Sequence, residues 1–559
     1  MKKIPIGVSD FKRIIEDDYY YIDKTNFIKE LIDSGSAITL LPRPRRFGKT
    51  LNMSMIKYFF EKSKEDNMNL FDNLYIYKCG EQYKREQGKY PVIYLTFKDV
   101  KELDWESTFI KLKRVISEEY RRLKYVKEVL DESEKRYYDE IIDGTALGPQ
   151  YEDSINMLSG YLAKYYKQKT IVIIDEYDTP INAGHINGYT KEITNFTKGL
   201  FSGGLKDNIN LHKGIITGIL RISKESIFSD MNNLEVCTII DESYSDKFGF
   251  TENEAERLLE DYGLEEKLEE MKLWYNGYRF WETVIYNPWS LVYFVKNKGR
   301  FEPYWVNTSS NDIIKTLFKN APNEVKRDLE LLIKGRSIKK EITPNITYEI
   351  IEKSGQSLWT FFLFSGYLKQ ENEETINSRR IFELKIPNKE VLYIYQSTII
   401  KWFDENASNY DLEQMIKFLL NGDVETFTYM FKDLIAKTIS YFDPTGKEPE
   451  MFYHAFVLGM LVHLNNNYEI KSNRESGYGR YDVMLIPIKN IIDKKSIIIE
   501  FKKVNKMAKE TIEIAIEKAL KQIEEKKYEE ELLSKGIPQK DIIKIAIVFD
   551  GKEVELKQG

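Results

Sequence analysis

Only two cysteines, Cys79 and Cys237, occur in 559 residues. That excludes a disulfide scaffold and fits a reducing compartment. An apolar leader is also missing: Met1-Lys2-Lys3 runs into Ile4-Pro5-Ile6-Gly7 and then into charge, so no secretory signal is expected. The longest apolar stretches, near 360–368 and 455–464, are too short to span a bilayer. A cytoplasmic protein without a membrane partner is the expectation. Positive charge is not in excess either. A net charge of -6 argues against a uniformly basic nucleic-acid coat, yet leaves room for a local basic groove. Internal repeats and low-complexity linkers are absent. What remains, 42% hydrophobic and 31% charged residues, is the composition of an ordinary globular chain. Its length implies two or three domains.

The chain is organised around Leu40-Leu41-Pro42-Arg43-Pro44-Arg45-Arg46-Phe47-Gly48-Lys49-Thr50. An apolar run, Ala37-Ile38-Thr39-Leu40-Leu41, feeds this loop, and a helical pattern through Leu51, Met55, Ile56 and Phe59 follows it. Strand, loop, Gly-Lys-Thr and helix make a phosphate-binding P-loop. Backbone N–H groups around Gly48 and the helix N-terminus meet phosphate oxygens, Lys49 reaches the β/γ-phosphates, and the Thr50 hydroxyl holds Mg²⁺. The pattern asks for glycine where Arg43 stands. Arg43, Arg45 and Arg46 therefore crowd the loop, and at least one is expected to reach phosphate through its side chain.

Its partner is Thr170-Ile171-Val172-Ile173-Ile174-Asp175-Glu176-Tyr177-Asp178. A continuous β-branched run reads as a strand buried on both faces of a parallel sheet, with its carboxylates where open α/β sheets bind ligands. In a nucleotide-hydrolysing reading Asp175 holds Mg²⁺ through water and Glu176 polarises the attacking water. A later strand, Lys213-Gly214-Ile215-Ile216-Thr217, ends in a polar residue, and Thr217 is the candidate γ-phosphate sensor. Arg221 is either a charge-stabilising arginine or an ordinary surface one.

Tyr19-Tyr20-Tyr21-Ile22-Asp23-Lys24-Thr25, ahead of the P-loop, either flanks an adenine or simply packs. Helical periodicity dominates 105–166, with a solvated charged face around 118–136. Residues 248–318 read as helical and aromatic, the rings of Trp274, Tyr275, Trp289, Tyr304 and Trp305 clamping a small domain or stacking on bases. Residues 358–391 read as a β-rich connector, with strands over 361–369 and 380–386.

The C-terminal third holds different chemistry. Tyr481-Asp482-Val483-Met484-Leu485-Ile486-Pro487 and Ser496-Ile497-Ile498-Ile499-Glu500-Phe501-Lys502-Lys503 read as paired strands joined by a charged turn at 489–495. Side chains two apart on a strand share a face, so Glu500 and Lys502 point the same way. With Asp482 on the neighbouring strand, two hard oxygen ligands suit Mg²⁺ or Mn²⁺ and a lysine stands beside them. Such a lysine orients water or offsets charge developing on phosphate. An edge-strand salt bridge is the alternative. A helix over 512–528 and a strand, Ile543-Lys544-Ile545-Ala546-Ile547-Val548-Phe549, complete one α/β unit.

Ile22-Asp23-Lys24-Thr25, the Arg-rich Gly-Lys-Thr loop, Ile174-Asp175-Glu176-Tyr177-Asp178 and Ser472-Asn473-Arg474-Glu475-Ser476-Gly477 are similar to one family. It comprises bacterial AAA-ATPase-like proteins fused to a C-terminal PD-(D/E)XK nuclease-superfamily domain. The arginine at 43 is shared by that family. The loop also resembles the Gly-Pro-Arg-Arg-x-Gly-Lys-Thr of archaeal and signal-transducing ATPases. The resemblance implies Asp482, Glu500 and Lys502 as the nuclease pattern. Its RecB-like branch adds His454 as an upstream metal ligand and Gln522 with Tyr528 as a downstream pair, here farther apart than in that motif. The implied fold is α/β with a helical middle domain: a P-loop NTPase-type parallel sheet domain over 1–245 and a helical lid-like domain over 246–345. A β-rich connector over 346–395 and a restriction-endonuclease-like domain over 396–559 follow. The implied function is an ATP- and Mg²⁺-dependent protein coupled to a nuclease acting on nucleic acid, DNA before RNA. The alternative is a nucleotide-switched regulator that binds nucleic acid or protein and does not cut.

Overall fold

Five short runs make the first sheet: β1 (Ile38–Pro42), β2 (Val92–Thr96), β3 (Thr170–Asp175), β4 (Leu211–Gly218) and β5 (Leu234–Val236). All pair in parallel, in the order β2-β3-β4-β1-β5. β1 and β3 are buried at every residue, as a sheet covered on both faces requires. After β1 the chain crosses to the far edge, returns strand by strand, and lands on β1's other side with β5. The C-terminal end of β1 is therefore a switch point, where such sheets bind ligands. Leu112, Ile116, Leu158, Leu162, Ile193 and Leu200 from three helices bury against the sheet. Each is worth about 1.5–3 kcal/mol relative to exposure.

The computed structural model describes residues 2–559 except 64, 207, 221–226, 229–230, 306–322, 334, 345–354, 405–408, 440–467, 473–474, 477–478, 489–494, 506–508 and 551–552. It divides into two units, Met1–Asn307 with Lys339–Lys389, and Thr308–Ile338 with Glu390–Gly559. Among the described residues no helix is long and apolar enough to cross a membrane.

In the first unit the stretch read as helical also holds a small antiparallel sheet, β6 (Phe250–Thr251), β7 (Tyr278–Phe280) and β8 (Thr283–Tyr286). Aromatic and β-branched residues flank a two-residue turn in which Trp281 takes a left-handed φ of 52°. Rings dominate the core beside it: Trp274 stacks on Phe301 with centroids 5.9 Å apart, and Tyr275 meets Phe294 at 5.6 Å. These aromatics clamp the segment together. The connector needs a correction. A helix, Gly355–Phe364, stands where the strand over 361–369 was expected to begin. Its run Ser357-Leu358-Trp359-Thr360-Phe361-Phe362-Leu363-Phe364 is apolar nearly throughout, and so short a run carries no period that separates strand from helix. Strands follow at β10 (Lys369–Ile376) and β11 (Arg379–Lys385), with β9 (Ile338–Glu341) beside β11.

In the second unit β12 (Tyr468–Ser472), β15 (Val483–Pro487), β16 (Ser496–Lys503), β17 (Ile542–Asp550) and β18 (Glu553–Gln558) lie in that order. A two-residue ladder, β13 (Glu475–Ser476) with β14 (Gly479–Arg480), precedes β15. β16 and β17 are parallel and the other pairs antiparallel, so a crossover must join β16 to β17. The helix Ile512–Glu525 supplies it and ends three residues short of the expected 528. Its Ala515, Ile516 and Ala519 pack on Ala546 and Val548 of β17, which fixes the even-numbered face of the sheet as the helix side.

The Asp23-Lys24-Thr25 segment is a staple. The Asp23 carboxylate accepts the Thr25 N–H at 2.9 Å, the Thr25 hydroxyl at 2.6 Å and the Tyr75 N–H at 2.6 Å. The Lys24 ammonium, buried, donates to Glu254 at 2.6 Å and to the Asp246 carbonyl at 2.9 Å. Packing accounts for this segment without a base. Asp23→Ala should therefore lower the stability of the unit by about 1–3 kcal/mol, the cost of stranding half-buried donors. Thermal unfolding followed by circular dichroism reads it, and an unchanged melting temperature would contradict the staple.

Candidate functional site

β1 ends at Pro42, and the Arg43 N–H donates to the Gly218 carbonyl at 2.9 Å, joining the loop to the end of β4. Phe47 buries between Tyr278 and Phe280, with ring centroids 5.0 and 5.4 Å away. Arg46 and Gly48 take left-handed φ values of 70° and 84°, which turn the backbone into the helix Lys49–Phe60. No side chain caps that helix. A Cβ added at Gly48 would meet nothing within 4 Å, so open space lies before the uncapped N–H groups. Uncapped helix, left-handed turns and open cradle together fit a phosphate chain.

The Lys49 ammonium is buried and donates to the carbonyls of Arg43, at 3.0 Å, and Pro44, at 2.9 Å. Burial pushes its pKa down, while the charges of Glu176, Asp178 and Asp175 pull it up and Arg45 adds to the depression. Asp175 has no exposure. Its carboxylate accepts three hydroxyls: Thr50 at 2.8 Å, Thr217 at 2.9 Å and Thr96 at 3.2 Å. Burial and the Glu176 charge raise its pKa, against the bonds from Thr50 and Thr217 and the Lys49 charge. Thr50 and Asp175, the two residues expected at Mg²⁺, are in contact, and hydroxyl with carboxylate is a donor set that suits that ion. Glu176 sits in a left-handed turn with φ 53° and accepts the Thr179 hydroxyl at 3.2 Å. A non-glycine residue held there at a strand end costs about 1–3 kcal/mol, strain that gathers at functional sites.

The three arginines separate. Arg43 is fully buried and donates to the carbonyls of Pro42, Cys237 and Tyr244 at 2.8, 2.7 and 3.2 Å. Its guanidinium lies 5.0 Å from the Phe248 ring centre and 5.5 Å from that of Phe280, and burial pushes its pKa down to about 10. The expectation that Arg43 joins the nucleotide-binding set is corrected here. Its side chain clamps the β5–β6 connection to the loop, and releasing it would strand three carbonyls. Arg45 and Arg46 remain, Arg46 stacked 4.1 Å over Trp289.

Two residues were given no role in the sequence. Thr96 pairs in register with Asp175, and its hydroxyl shares that carboxylate. Asp178 is buried and accepts the Ile219 and Leu220 N–H groups at 2.8 and 3.0 Å, holding the segment after Thr217. Threonines ending two strands were the available signal for the first. Nothing in the spacing marked the second.

In the second unit Val483 pairs with Ile499, so the next step along the ladder sets Asp482 opposite Glu500. Side chains opposite one another in an antiparallel pair share a face, with Cβ atoms about 4.5–5.5 Å apart. The Asp482 carboxylate accepts the Phe501 N–H at 2.9 Å. Lys502 donates to the Gln522 amide oxygen at 2.7 Å, while the Gln522 amide nitrogen donates to Glu500 and, at 3.1 Å, to the Tyr528 hydroxyl. One side chain from the crossover helix thus touches both Glu500 and Lys502, which proves their shared face. Burial raises the Tyr528 pKa, the bond from Gln522 opposes that, and the charges of Glu500 and Asp482 add to the rise. Glu500 is 4% exposed. Two hard carboxylates with an adjacent ammonium fit Mg²⁺ or Mn²⁺. Among the described residues no three His, Cys, Asp or Glu gather as a metal group. His454 and Arg221 lie outside the described residues, as do Asn473, Arg474 and Gly477.

Comparison with known proteins agrees with this division. Residues 5–228 match the family described as predicted AAA-ATPase, and residues 448–559 match the PD-(D/E)XK nuclease superfamily. The chain carries an AAA-ATPase-like domain followed by a PD-(D/E)XK nuclease-superfamily domain. A relative in Azotobacter chroococcum mcd 1, described as an uncharacterized protein in the vnfD 5'region, is 25% identical over 514 residues. The match covers 87% of either chain.

Gln522 orients both Glu500 and Lys502, so Gln522→Ala should weaken Mn²⁺ binding about 10–100-fold, as loss of an outer partner of metal ligands does. Calorimetry of Mn²⁺ binding to the intact chain tests this, and equal affinity in the variant would contradict it.

Proposed function

We propose that this chain binds and hydrolyses ATP in its first unit. Under that control, it cleaves phosphodiester bonds of nucleic acid, DNA before RNA, at a Mg²⁺- or Mn²⁺-dependent site in its second. The observation that carries the reading is that Gln522 bonds both Glu500 and Lys502, with Asp482 bonded to the Phe501 N–H between them, in a chain that also holds a Gly-Lys-Thr loop.

At the nucleotide the chain's own groups bind and orient. N–H groups of the loop and first helical turn take phosphate oxygens. Lys49 must leave the Arg43 and Pro44 carbonyls to meet a phosphate, exchanging neutral acceptors for an anionic one and a stronger bond. Arg45 and Arg46 add charge at the mouth. Glu176 polarises the attacking water, and Thr217, which donates to Asp175, is the sensor of the γ-phosphate in this reading. Mg²⁺ held by Thr50 and Asp175 would neutralise phosphate charge. At the second site Asp482 and Glu500 would hold the ion that polarises the scissile phosphate, with His454 carried as a further ligand on the resemblance alone. Lys502 offsets the charge that grows on phosphate, and Gln522 and Tyr528 keep Glu500 in place.

Lys49→Ala should weaken ATP binding about 10–100-fold, the equivalent of losing a charge-assisted bond worth about 1.5–3 kcal/mol. Titration calorimetry giving equal affinity would remove the nucleotide reading. Asp482→Ala should abolish cleavage of labelled DNA in Mg²⁺ or Mn²⁺ while ATP affinity stays unchanged, because the two sites lie in separate units. If the unaltered chain cuts neither DNA nor RNA in either metal, with or without ATP, the regulator without cleavage activity replaces the nuclease.

A further inference from the structure

A cleft of about 580 Å³ opens beside the carboxylate pair and shares two residues with it, Lys502 and Gln522. Lys503, Lys518, Lys521 and Lys526 also line it, so five ammonium groups face two carboxylates, Glu510 and Glu525. In a chain of net charge -6 this is a local reversal of sign. The crossover helix explains the placement. Positions 518, 521, 522 and 525 follow helical spacing and form one face, the same face from which Gln522 reaches Glu500 and Lys502. The lysines on it thus continue outward from the site, without a break.

We infer that this cleft seats the sugar-phosphate backbone of a nucleic-acid strand on one side of the bond to be cut, with Lys518 and Lys521 as phosphate contacts. The inference rests on the nuclease reading and adds to it a binding surface and a direction for the strand. Charge complementarity selects the occupant. The cleft is open and lined by lysines, which bind phosphates as point charges and read no sequence. Existing pairs do not block it. Lys518 contacts Glu510 at 2.7 Å and Lys521 contacts Glu525 at 3.5 Å, but both lysine side chains stay at least 60% exposed. The Lys521–Glu525 pair, exposed on both sides, is worth about 0–1 kcal/mol and yields to a phosphate; Glu510 is 8% exposed, but the Lys518 ammonium it holds is open to one. The strand continuing past Lys502 would leave its scissile phosphate beside Asp482 and Glu500.

The test measures binding, not cutting. The full chain is titrated with a labelled DNA duplex of about 20 base pairs in EDTA across a salt series. Lys518→Glu with Lys521→Glu should weaken binding at least about tenfold at moderate salt. The same pair should flatten the slope of log affinity against log salt by about two, one unit per lost phosphate contact. Lys540→Glu with Lys557→Glu, lysines outside the cleft, makes the same change in net charge and should leave the slope unaltered. Lys518→Gln with Lys521→Gln should flatten the slope equally, and decides the matter if the charge reversal melts early. Equal losses in the two reversed pairs, or an unchanged slope in the cleft variants, would overturn the inference. A chain that binds through the cleft but cuts nothing in Mg²⁺ or Mn²⁺ keeps this inference and loses the nuclease reading. A chain that cuts DNA while the cleft variants bind like the unaltered protein does the reverse.

Discussion

A carboxylate with no access to water, Asp175, holds the C-terminal end of the first sheet together. Its three hydroxyl partners come from the helix after β1, from the end of β2 and from the end of β4. A buried anion is tolerable only when its oxygens are satisfied, and each threonine that satisfies Asp175 is thereby fixed in place. Strand order follows from the same point. β2, β3 and β4 are neighbours, so Thr96, Asp175 and Thr217 end side by side, and the P-loop helix delivers Thr50 across the top. Burial and the Glu176 charge raise the Asp175 pKa, against the bonds from Thr50 and Thr217 and the Lys49 charge, so the cost of desolvating the carboxylate is only partly offset. A cation near Thr50 would lower that cost.

Much of this was legible in the residues. The apolar run, the Gly-Lys-Thr and the helical pattern after it marked a strand, loop and helix in that order, and a β-branched run put acids at the end of β3. The period of two on β16 placed Glu500 and Lys502 on one face, and a short connection placed Asp482 opposite. These features are local, set by chain geometry over a few residues. What escaped was set by tertiary packing. Arg43 stands in a loop that binds anions, and its type suggests a phosphate contact. The carbonyls of Cys237 and Tyr244, nearly two hundred residues away, decide otherwise. The helix at Gly355–Phe364 and the hairpin at Trp281 failed for a different reason. Short apolar runs carry no period, and a left-handed tryptophan breaks the rule that glycine or asparagine marks a turn.

The Gln522–Tyr528 pair shows where spacing misleads. On an uninterrupted helix, residues six apart lie about 120° apart around the axis and about 9 Å apart along it, so this pair looks too distant to act together. The helix stops at Glu525, however, and Lys527 takes a left-handed φ of 51°. That reversal carries Tyr528 back beneath Gln522, and the hydroxyl meets the amide at 3.1 Å. Tyr528 is then buried against Tyr481, one residue from Asp482. The reversal at Lys527 thus anchors both ends of the site to one ring.

Gln522 also fixes the electrical order of the site by the chemistry of its own amide. An amide oxygen only accepts and an amide nitrogen only donates. With Lys502 donating to the oxygen, the nitrogen has to face acceptors, and it finds Glu500 and the Tyr528 hydroxyl. The flipped amide would set N–H against an ammonium and oxygen against a carboxylate, losing both bonds. The orientation is therefore determined without reference to any ligand. A glutamate in place of Gln522 would bind Lys502 more strongly but would press a third anion against Glu500. A lysine would quench Glu500 and repel Lys502. Only a neutral group with one donor and one acceptor end holds an anion and a cation side by side and leaves the charge of each intact. That is the condition a carboxylate must meet to take a metal, and an ammonium to meet a phosphate.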